Sequence, residues 1–178
     1  MLFPSKHLLC IGLLSISALA NAFDGISAEF GEGNQTDLIK IAVQKTLDEQ
    51  YWQSNGNHFA PYLEASLANW KSDDVQNISG QKQNLYDFGF TPVLRWQKDN
   101  RLGWYGEAGI GVHYLTDLYD NNQKKASTKF QFGDHIAIGY VFQNKIEIAL
   151  KFQHFSNASI KKPNPAMNFA LIKLGYAF

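Results

Sequence analysis

The chain has 178 residues with 16 basic and 16 acidic side chains, a balance that gives no electrostatic footprint for nucleic acid or for an acidic partner. Its single cysteine, Cys10, lies in the amino-terminal segment, so the remainder has no disulfide framework to draw on.

The opening stretch MLFPSKHLLCIGLLSISALANA places a lysine before an apolar core from Leu8 to Leu19 and ends in the small residues Ala20 and Ala22. This is the pattern of a cleavable secretory signal, with cleavage expected after Ala22. A membrane anchor is the competing reading, but the apolar core is shorter than the roughly 20 residues a spanning helix needs. Cys10 does not read as a lipid-modified cysteine, because the apolar run continues past it and no small residues precede it. Residues 23–178 are then expected to form one domain.

From there the sequence alternates with period two, as strands do when successive side chains change face. Apolar residues mark one face of eight runs. In chain order these are Ile26, Ala28 and Phe30; Ile39, Ile41 and Val43; and Phe59, Pro61, Leu63, Ala65 and Leu67. Next come Phe88, Phe90, Pro92, Leu94 and Trp96, then Trp104, Ala108, Ile110, Val112 and Tyr114. The last three are Phe130 through Phe142 at even positions, Ile146 through Phe152, and Ala170 through Phe178. Turn-rich stretches such as GEGNQ, QSNGN, QKDNR, DNNQKK and FQNK separate them.

The opposite face carries both signs of charge, in Glu29, Glu64, Arg95, Glu107, Lys129, Glu147 and Lys151. Eight strands can close, and a small barrel of this kind fills its lumen with interacting side chains. The expected fold is all-β, an eight-stranded antiparallel transmembrane β-barrel whose backbone groups are paired internally. A soluble lipocalin-like barrel would put the apolar face inside. Aromatic residues at strand ends and the apolar terminal Phe178 favour lipid outside. With both termini on the periplasmic side, QKDNR and QNK are inner turns, and the connections around 71–83, 116–127 and 157–167 are outer loops. The connection around 46–57 is longer than an inner turn should be.

The apolar stripes break at one height. Continuing from Phe152 by parity, the seventh stripe reaches His154 and Ser156; the eighth, read back from Phe178, reaches Asn168; the sixth is interrupted by Asp134. A three-residue turn at Gln143, Asn144 and Lys145 sets Asp134 directly across from His154, where Cβ atoms are about 4.5 to 5.5 Å apart. Residues two apart on a strand lie roughly 6 to 7 Å apart on one face, within reach of a base and a nucleophile. Each residue alone reads better as a polar side chain near the lipid headgroups, where polar groups cost little. Together on a lipid-facing wall they are costly unless paired or useful.

At this point the sequence resembles the PagL family of outer-membrane lipid A deacylases. The resemblance is carried by His154, Ser156, Asn157, Ala158, Lys161, Pro163 and Asn164, and by the aromatic-ended terminal strand. It implies an eight-stranded outer-membrane barrel that hydrolyses the ester-linked acyl chain at position 3 of lipid A, with His154 as base and Ser156 as nucleophile in an H-x-S-N-A motif. The family's third member, a glutamate, falls at Asn168 by spacing, and no carboxylate occurs between Asn157 and Phe178. Asp134, with Asn168, is therefore expected to take the acidic role. Asn157 and the backbone N–H groups near Ala158 and Ser159 are candidate oxyanion donors. Lys161 and Lys162 either hold lipid A phosphates or form a solvated loop. His113 and His135 point to the lumen by parity and read as structural. The chemistry needs no cofactor, and no metal-ligand spacing is present. Two other readings stay open: a non-enzymatic structural or adhesive barrel with a decayed site, and an acyltransferase using the same nucleophile.

Overall fold

The computed structural model describes residues 22–178. The expected signal segment lies outside the described residues except for Ala22. Eleven β elements follow in order: β1 (Gly25–Glu32), β2 (Thr36–Thr46), β3 (Tyr51–Ser54), β4 (Asn57–Ser72), β5 (Gln83–Lys98), β6 (Gly103–Leu115), β7 (Asp120–Asn121), β8 (Lys124–Lys125), β9 (Phe130–Val141), β10 (Ile146–Ser156) and β11 (Met167–Ala177). Eight of these, all but β3, β7 and β8, form a closed ring through antiparallel neighbours, with β1 beside β11 and β2 beside β4 closing the barrel. Within this ring no strand is left without a neighbour on either side, which is what a strand structure in hydrocarbon requires.

The expected faces hold. Ile39, Ile41, Phe88, Phe90, Trp104, Ile110, Ile136, Ile138, Ile148, Leu150 and Leu174 are exposed on the outer wall, a belt that only a membrane would cover. Inside, Lys40 bridges Glu29 and Glu64 at 2.9 and 3.0 Å, and Lys151 joins Glu29 at 3.0 Å. Toward the end of the barrel near the first and last strand termini, Arg95 and Lys173 share Glu107 and Glu147, at distances from 2.7 to 3.3 Å. Signs therefore balance within the lumen, as buried charges must. Lys129 is an exception among the residues expected there: its ammonium donates to the Thr116 carbonyl at the outer rim. His113 and His135 are both buried inside, and His113 Nδ1 lies 3.0 Å from Asp87.

Above the charged layer sits an apolar plug that the alternation did not announce. Trp70 packs against Phe155 and Phe169 with ring centroids 4.8 Å apart in both cases, and against Tyr119 at 5.8 Å. Leu38, Leu85, Leu115, Met167 and Leu171 complete the cluster. The long connection near 46–57 also has its explanation: β3 pairs with the start of β4 as a small hairpin, Tyr51 across from Phe59 and Ser54 across from Asn57.

Candidate active site

Along β10 the residues alternate between plug and wall. Phe155 points into the plug and is 2% exposed, so His154 and Ser156 on either side of it face outward. On β11, Met167 and Phe169 are buried in the same cluster, which leaves Asn168 outward between them. Packed aromatic rings thus fix the backbone from which the polar residues project, which limits how far that backbone can shift.

The register brings three strands together at this height. His154 is across from Asn168 on one side and from Asp134 on the other. The Asp134 pairing is the one that parity and the three-residue turn required. The imidazole chooses between these neighbours: His154 Nδ1 lies 2.6 Å from Asn168 Oδ1. An amide oxygen only accepts, so Nδ1–H donates and Nε2 keeps its lone pair. Asp134 is exposed and makes no side-chain hydrogen bond to His154. Of the two residues expected to share the acidic role, Asn168 therefore makes the orienting contact, and Asp134 is left in a position to act only through its charge.

Ser156 is half-buried and makes no side-chain hydrogen bond among the described residues. The His154 Nε2 lone pair is likewise unshared, so the candidate base and candidate nucleophile are both uncommitted on the same face. Such bonds commonly tighten only when substrate is present.

The loop after Ser156 departs from expectation at Asn157. This side chain turns inward, is 1% exposed, and spends its amide donors on Ser127 Oγ at 3.0 Å and the Lys161 carbonyl at 2.8 Å. Its backbone N–H donates to Asn164 Oδ1 at 2.7 Å. No Asn157 donor remains for an oxyanion; the residue organises the loop. Ser127 Oγ also donates to the Lys161 carbonyl at 2.8 Å, so the 116–129 loop braces the 157–166 loop from the side.

Next in the chain, Ala158 and Ser159 adopt left-handed backbone angles, φ 51° and 61°. Two successive non-glycine residues in this region are uncommon and carry strain that the surrounding bonds must hold. The N–H groups of Ala158 and Ser159 have no acceptor among the described residues, and successive free N–H groups in a turn form an anion-binding concavity. Both Lys161 and Lys162 are exposed, and neither ammonium forms an ion pair or hydrogen bond among the described residues. Sequence reasoning missed Ser127 and the inward turn of Asn157, because both depend on how two outer loops dock and no local pattern encodes that.

Comparisons with known proteins bear on the fold and the family. A family model described as lipid A 3-O-deacylase (PagL) matches residues 37–177. The chain is similar to the lipid A deacylase PagL of Bordetella bronchiseptica, 30% identical over 157 residues that cover 86% of this chain and 83% of that protein. It is also similar to the lipid A deacylase PagL of Pseudomonas aeruginosa, 26% identical over 149 residues, covering 83% of this chain and 82% of that one. Its fold is similar to a crystal structure of the outer membrane enzyme PagL, with a TM-score of 0.75 at 21% identity, over 86% of this chain and 99% of the other. The chain belongs to the lipid A 3-O-deacylase (PagL) family.

Proposed function

We propose that this protein is a serine esterase of the Gram-negative outer membrane that removes the ester-linked acyl chain at position 3 of lipid A. The observation that carries the reading is the His154–Asn168 hydrogen bond of 2.6 Å beside Ser156, on a wall that otherwise presents hydrocarbon to lipid. Substrate reaches such a site from the outer leaflet without leaving the membrane.

The reaction proceeds in two steps. Ser156 Oγ attacks the acyl carbonyl while its proton passes to His154 Nε2. The backbone N–H groups of Ala158 and Ser159 stabilise the oxyanion. The sugar hydroxyl leaves with the proton from the imidazolium, and an acyl-serine remains. Water then attacks that ester, giving its proton to His154, and the fatty acid departs as Ser156 regains a hydrogen. Asn168 holds the ring in the tautomer whose Nε2 is basic, and the Asp134 carboxylate across the strand pair offsets the imidazolium charge. Lys161 and Lys162 supply cations for the lipid A phosphates.

Purified protein in detergent micelles with lipid A as substrate tests the assignment. The wild type is expected to release a 3-position fatty acid, and His154→Ala to lower the rate by at least about 10²-fold, the usual scale for a general base. Equal release by both would remove His154 from the mechanism.

A further inference from the structure

Two apolar grooves run down the outer wall. The first, of about 660 Å³, crosses β9, β10, β11 and β1 and is lined by Phe152, Ala170, Ile172 and Phe30. The second, of about 510 Å³, crosses β9, β6, β5 and β4 toward Leu47 and is lined by Ile110, Ala108, Leu94 and Pro92. Between them Ile136 and Ile138 of β9 stand 64% and 57% exposed, forming a ridge. Asp134 is the next outward residue on that ridge, and it also lines the second groove.

Both grooves start at the polar patch. Phe152 and Ala170 pair with each other two residues below the His154–Asn168 pair, so the first groove opens directly beneath the imidazole. The second starts at Asp134, which pairs with His154 on one side and Ile110 on the other. Its depth has a local cause: Ala108, a small side chain, lies in register between Leu94 and Ile136. The catalytic patch therefore stands at a fork.

Resting on the deacylase reading, with the scissile chain in the first groove, we infer that the second groove binds another, non-scissile acyl chain of the same lipid molecule. Within a membrane no hydrophobic force drives a chain onto the wall, so its contribution comes from van der Waals fit and from geometry. A headgroup held by two diverging chains cannot rotate about the scissile one. That restriction fixes the 3-position ester against Ser156, which favours the attacking geometry, and the second chain engages at the high effective concentration of a tethered ligand. The site is thus selective for a multiply acylated glycolipid over a single-chain ester.

Two substrates separate this inference from the deacylase reading: a multiply acylated lipid A, and a glucosamine phosphate carrying only one ester-linked 3-position chain. Fatty acid release is followed in micelles for the wild type and for Ala108→Trp, which fills the second groove with apolar bulk that a lipid-facing position accepts. The wild type is expected to favour the multi-chain substrate by about tenfold. Ala108→Trp is expected to lose that preference while its rate on the single-chain ester stays unchanged, which also reports intact folding. Ala108→Leu serves the same comparison where the tryptophan variant fails to fold. An unchanged preference in the variant, as when bulk lipid alone covers the groove, would overturn the inference, and so would an equal loss on both substrates. A wild type inactive on both would overturn the deacylase reading and this inference with it.

Discussion

At the residue scale, His154 has an orienting partner without charge and a charged neighbour without a hydrogen bond. Asn168 Oδ1 fixes the ring, but an amide cannot neutralise the imidazolium that the proposed reaction forms when Ser156 loses its proton. In serine proteases the exchange of aspartate for asparagine at this place drops kcat about 10⁴-fold, whereas papain-like enzymes operate with asparagine. Asp134, across the strand pair from His154, puts a carboxylate on the neighbouring strand whose charge can act on the ring. Replacing Asp134 by Asn is accordingly expected to slow lipid A deacylation by about tenfold or more, with Asn168→Glu partly restoring the double variant by placing a carboxylate on the ring itself. Steady-state rates in micelles decide this, and an unchanged rate for Asp134→Asn would leave the imidazolium without a counter-charge. This pairing was legible in the sequence because parity and an odd-length turn together fix the register. The choice of Asn168 over Asp134 was not, since it rests on side-chain rotamers.

At the scale of elements, β10 and β11 carry the site because their inward residues are clamped. Trp70 lies against both Phe155 and Phe169, and the loop beyond β10 is closed on itself by Asn157 and Asn164 and tied to its neighbour through Ser127. Ser127→Ala removes the hydroxyl from two of these bonds. It is expected to lower kcat about tenfold with KM little changed, because the Ala158–Ser159 N–H groups serve the transition state more than bound substrate. A rise in KM alone would instead place Ser127 in substrate binding. The strands themselves were readable where lipid lies on one side and charge on the other. Above the belt the polarity inverts: on β4, Asn69 and Lys71 face out while Trp70 is fully buried, since water has replaced lipid outside. A search for apolar residues on one face ends at Leu67 for that reason, and so it missed the plug and shortened the strands.

At the scale of the whole molecule, the lumen is closed and the proposed site lies on the wall. Four carboxylates (Glu29, Glu64, Glu107, Glu147) meet four cations (Lys40, Arg95, Lys151, Lys173) in the interior, beneath the aromatic plug. No steady ion conductance is expected from the protein in planar bilayers, and open-channel currents would mean that the interior pairs are not closed in the membrane. The proposed chemistry therefore belongs to the outer surface, where lipid A is itself a component of the leaflet. Mass spectrometry of lipid A from cells expressing the wild type or Ser156→Ala tests that claim most directly. Loss of one 3-position acyl chain with the wild type, and intact lipid A with Ser156→Ala at equal membrane abundance, is the predicted result. Lipid A unchanged by the wild type, or trimmed equally by Ser156→Ala, would contradict it.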